Sequence, residues 1–228
     1  MGMLKDRSWD EIAAVFEKAR RRQPTLAQFL DFCEKLVNAQ HSATVHTGSL
    51  AFNEARLRDR SARGEPLLAR EEFPFDVTSS NTLFRNLCGL AKDRGPEVQA
   101  AAEQIESAIG WKGMDVLDLL RGTVAEEGYA FAVADRWSLD PELLQMLAEA
   151  SVQPSVQAVA QRLGPFVEND RWLRTICPVC GSEPEFAELR GQELGVGRTT
   201  WRATARLPSS AHLCWCRRIL RASPGSAW

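Results

Sequence analysis

Residues 25–41 read TLAQFLDFCEKLVNAQH, and the placing of their apolar side chains decides the fold class. Leu26, Phe29, Leu30, Cys33, Leu36 and Val37 recur every three or four positions, which puts them on one face of an α-helix. Thr25 followed by Gln28 adds a helix-start signal, and Pro24 supplies the break before it. We read 25–41 as a core helix.

The same grammar extends on both sides. Upstream, Ser8 and Glu11 form a capping box ahead of a stripe of Ile12, Val15, Phe16 and Ala19, which closes on Arg20, Arg21 and Arg22. Downstream, residues 42–62 read as a third, more polar helix. Residues 64–78 hold Gly64, Pro66 and Pro74 among Leu67, Leu68, Phe73 and Phe75, a linker that crosses the bundle surface and tucks its aromatics down. Leu83, Phe84, Leu87 and Leu90 give a helix ending near Lys92. Gly95-Pro96 then opens another with Val98, Ala102, Ile105 and Ile109. Residues 114–127, 140–151 (Pro141 in the first turn) and 155–166 complete the helices, and no repeat of 20–50 residues recurs. The expected fold is mainly α: a multi-helix domain over 1–168, then a small module over 169–228.

Bulk properties agree with a globular chain. With 28 Lys+Arg against 30 Asp+Glu, 44% hydrophobic and 25% charged residues, the 228-residue sequence is neither disordered nor collagen-like. No run of about 18 apolar residues occurs, and the charged first 22 residues lack an apolar signal core, so a cytoplasmic protein without a membrane span is expected. The charge is uneven. From Arg190 onward seven arginines stand against Glu193, a net +6 that leaves −8 for residues 1–189.

After Asn169 the periodicity changes. Residues 171–176 alternate like a strand, Cys177-Pro-Val-Cys180-Gly181 forms a turn, and residues 185–189 alternate again. This is a β-knuckle. Such a turn sets two sulfurs on one side of a tight loop with backbone amides pointing at them, and a tetrahedral ion needs two such knuckles to complete four sulfur ligands. Cys177 and Cys180 are the metal-ligand candidates. The candidates for a second pair are Cys214 and Cys216, beside His212, although on a strand two cysteines one residue apart point to opposite faces. A redox dithiol is the competing reading; Pro178, Gly181 and the lack of a βαβ pattern favour the metal knuckle.

The remaining chemistry-bearing residues read as structural. Cys33 and Cys88 lie in helical stripes and read as small buried hydrophobes. His41 and His46 read as polar surface or capping groups, and Glu71-Glu72 and Glu126-Glu127 as solvated charge, since adjacent positions do not share a helical face. No glycine-rich phosphate loop occurs, and three histidines assemble neither a nucleophile triad nor a histidine-acid metal motif.

Taken together, the segment from Phe29 to Gln40, the Gly64-Glu-Pro-Leu-Leu68 linker and Ile176-Cys-Pro-Val-Cys-Gly-Ser-Glu-Pro184 resemble the formate dehydrogenase accessory proteins, the FdhE family, over roughly residues 10–192. That resemblance implies a cytoplasmic, non-catalytic assembly or maturation factor that contacts the molybdenum-containing catalytic subunit of formate dehydrogenase. It also implies a C-terminal rubredoxin-like region in which several Cys-x-x-Cys pairs hold iron or zinc, with Cys177 and Cys180 as the first pair. The sequence departs from the family after Gly197-Arg198-Thr-Thr-Trp-Arg202. Where the second pair is due, around Ala203 and Arg206, no cysteine stands. We therefore expect an incomplete zinc-ribbon module whose end was replaced by a shifted reading frame or a truncation. Set against this is a zinc-ribbon nucleic-acid-binding protein, whose arginine-rich end would contact phosphates.

Overall fold

The computed structural model describes residues 8–46, 52–111, 113–167, 172, 174 and 176–182. They are mainly helical, with no strand among them. The eight α-helices of the described residues are α1 (Trp9–Arg22), α2 (Ala27–Ser42), α3 (Glu54–Ala62), α4 (Val77–Ala91), α5 (Pro96–Gly110), α6 (Val116–Ala125), α7 (Tyr129–Trp137) and α8 (Pro141–Leu163). Local chemistry places their starts. The Ser8–Glu11 capping box opens α1, and Asn53, Asp76, Asp115 and Asp140 cap α3, α4, α6 and α8 by accepting backbone N–H bonds on their side chains.

The molecule is organised around α8, fifteen of whose 23 residues are buried. A helix enclosed on several sides needs apolar or satisfied groups around its whole girth. Its first half packs with α4, α5, α6 and α7 in a core that includes Phe84, Leu87, Ile105, Leu119, Leu120, Leu144 and Leu147. Its second half builds a separate cluster: Val159, Ala160 and Leu163 meet Leu57 of α3, Leu67 and Phe73 of the linker, and Cys177 and Val179. The linker does tuck its side chains inward as expected, since Leu67 and Phe73 are buried.

Several expectations need correction. Residues 140–151 and 155–166 are not two helices, because α8 runs unbroken through Pro154. Proline lacks an N–H and deprives the carbonyl four residues earlier of its usual donor. Here Gln40 of α2 supplies it: Nε2 donates to the Ala150 carbonyl at 2.8 Å and to Gln153 Oε1 at 2.5 Å. The orphan that would ordinarily end a helix is thus satisfied from a neighbour.

Helix α7 has no counterpart in the sequence reading. Its entry is Gly128 in the left-handed region at φ +75°, and the turn is tight enough that a Cβ on Gly122 would lie 2.1 Å from Tyr129 Cδ1. Residues 42–62 are not one helix either, because the chain is non-helical over 43–46 and Asn53 opens α3. Thr25 does not cap α2; a 3-10 turn over Pro24–Leu26 leads into it. Helix α2 meets the core with only part of its expected stripe. It lies between α1 and the α4–α8 body, buries Phe32 and Gln40 and rests Leu36 against the core, while Leu26 and Phe29 stay exposed.

Candidate functional site

The sulfur-bearing turn is built by its own backbone. The Cys177 carbonyl accepts from Gly181 N–H at 2.9 Å, and the Cys177 N–H donates to the Ser182 carbonyl at 2.8 Å. Gly181 sits at φ +74°, a conformation that a side chain would strain, so the reversal from Cys177 to Ser182 depends on a glycine there. Just upstream, the Trp172 indole donates to the Ile176 carbonyl at 2.9 Å. The alternating segments expected on either side fall mostly outside the described residues, namely 171, 173, 175 and 183–190.

The turn leans on the helical body through the linker. Leu67 N–H donates to the Pro178 carbonyl at 2.9 Å and Leu68 N–H to the Val179 carbonyl at 3.0 Å. These bonds lay Cys177 and Val179 into the second hydrophobic cluster, each 1% exposed, while Cys180 remains half-buried. The Cys180 sulfur lies 3.2 Å from Ser182 Oγ. Sequence reasoning missed Pro66, Leu67 and Leu68 as partners of this turn. An apolar Leu-Leu pair inside a proline-bearing linker is the signal that could have found them, because a segment on water has no use for it.

Chemically, the arrangement offers two soft sulfur donors on one tight turn, which suits half of a tetrahedral zinc or iron site. Among the described residues no group of three or more His, Cys, Asp or Glu converges on a point. Cys214, Cys216 and His212, the other candidates, lie outside the described residues.

The other residues read from sequence sit elsewhere. His41 lies beside Trp9, with ring centroids 6.1 Å apart. His46 is bound to Asp76: its N–H donates to Oδ2 at 2.8 Å and its ring Nδ1 stands 3.4 Å from the same oxygen. Burial works to raise the Asp76 pKa, but the bonds from Ser79 N–H and from His46 outweigh it and hold the carboxyl below its ordinary value. Cys88 is fully buried, and burial, with Glu106 adding to it, pushes its thiol up to about 12. Burial also raises Cys33, against the opposing pull of Arg94. Neither is an activated nucleophile. Glu72 faces Arg56 at 3.3 Å, and Glu71, Glu126 and Glu127 are exposed.

With this geometry in view, comparison with known proteins adds one relation. The chain is similar to an FdhE homolog. That protein, "Protein FdhE homolog" of Aquifex aeolicus (strain VF5), is 21% identical over 177 residues, covering 76% of this chain and 56% of its own length. The chain thus spans little more than half the length of that relative. No family model and no solved structure matches. No helix of the described residues is long and apolar enough to cross a membrane.

Proposed function

We propose that this protein is a non-catalytic accessory factor for formate dehydrogenase, acting in the cytoplasm on the molybdenum-containing catalytic subunit. The observation that carries the reading is a Cys-x-x-Cys turn seated on a helical body in a chain similar to an FdhE homolog. In this reading the helical body recognises the partner. Cys177 and Cys180 hold one side of an iron or zinc site, with further ligands among the residues beyond Ser182, Cys214 and Cys216 being the candidates. The ion, when bound, supplies a structural cross-link that closes the small module. The chain's own residues do the rest: Gly181 permits the reversal, and Leu67 and Leu68 hold the turn against the body.

Co-purification with a tagged formate dehydrogenase catalytic subunit tests this. The protein is expected to be retained at moderate salt, and Cys177→Ser is expected to be retained equally, because recognition resides in the helices. Failure to bind the subunit, together with binding to duplex DNA that weakens steeply with salt, would instead favour the nucleic-acid reading.

A further inference from the structure

The turn carrying Cys177 and Cys180 is not an appendage, because it forms one wall of a hydrophobic cluster. Val179 and Cys177 are each 1% exposed, and they pack with Leu57 of α3, Leu67 and Phe73 of the linker and Leu163 at the end of α8. Residues 64–68 hold that wall in place at three points. Leu67 and Leu68 donate their backbone N–H groups to the Pro178 and Val179 carbonyls. Pro66 lies against Gly181 so closely that an added Cβ would stand 3.2 Å from Pro66 Cγ. Arg60 of α3 donates its Nε–H to the Pro66 carbonyl at 2.6 Å, which ties the segment to the body on its other side.

A sulfur buried to this degree cannot be reached in the closed arrangement. Exposing Cys177 requires the Leu67 and Leu68 bonds to part and apolar surface of the cluster to meet water. Cys180, half-buried at the rim, does not carry the same requirement.

We propose that residues 64–68 form a latch gating Cys177, so that access to its sulfur and the packing of α3 against the end of α8 are one linked equilibrium. The biological meaning rests on the accessory-factor reading above. The gating itself is read as thiol accessibility, which does not depend on any partner.

The test is residue-resolved alkylation of the full, reduced chain with N-ethylmaleimide, in which a thiolate adds across the maleimide double bond. In the wild-type protein Cys177 is expected to react at least about tenfold more slowly than Cys180, with the Leu67 and Leu68 amides protected from hydrogen exchange. Leu67→Ala should speed Cys177 alkylation about tenfold or more while leaving Cys88, which belongs to the other core, unchanged. By reciprocity, protein already alkylated at Cys177 should exchange its Leu67 and Leu68 amides faster. If Leu67→Ala does not fold, Gly181→Ala, which crowds Pro66 and strains the turn, reads the same comparison. A Cys177 rate unmoved by these variants would overturn the latch. So would Cys177 and Cys88 rising in step, or unprotected Leu67 and Leu68 amides beside a slow Cys177.

Discussion

Two single side chains, Gln40 and Asp76, do work here that their residue types alone would not announce. Asp76 caps α4 through Ser79 N–H at 3.0 Å and also accepts the His46 N–H. Its folded pKa lies below the ordinary carboxylate value, so its charge stabilises the fold at pH above that value, and the contribution is lost as pH falls through the folded pKa. Asn caps a helix about as well as Asp but carries no charge. Asp76→Asn is therefore expected to be less stable than wild type near pH 7, with the gap closing as the pH is lowered from 7 to below the folded pKa. Urea unfolding at both pH values checks it. A gap that stays constant with pH would mean that the charge contributes nothing. Gln40 is a polar residue on an otherwise apolar helix face, and it is only 4% exposed because its amide answers a carbonyl that Pro154 leaves open 110 residues away.

At the scale of elements, that same bond explains how α8 crosses a proline. Removing the amide with Gln40→Ala leaves the Ala150 carbonyl buried without its donor, a cost of about 1–3 kcal/mol. Pro154→Ala restores the missing N–H, so it should rescue part of that loss in the Gln40→Ala background. A double-mutant cycle is expected to show coupling of about 0.5–3 kcal/mol; additive effects would separate the two residues.

Much of the helical grammar was legible because it is local. The Ser8–Glu11 box, the Gly95-Pro96 start and the Asp140-Pro141 start all act within a turn of the chain. What escaped depends on distant partners. Whether Pro154 breaks α8 is decided by α2. Whether Leu26 and Phe29 are core is decided by which side of α2 meets the bundle, and that is the side of Phe32 and Gln40. Helix α7 is short and alanine-rich, with Gly128 before it and Ser138 at φ 54° after it, and so has no capping side chain to announce it.

For the molecule as a whole, the candidate site was half legible. The Cys177–Cys180 turn followed from its own residues, whereas the apolar Leu67-Leu68 pair signals only that the linker packs on something, and its partner in the turn lies about 110 positions away. That attachment ties the sulfur-bearing turn to the helical body. The most direct measurement is formate dehydrogenase activity in cells lacking their own accessory protein and supplied with this chain. The account predicts that activity returns with the wild-type protein. If activity stays absent while the folded protein accumulates to normal levels, the accessory role assigned to it is contradicted.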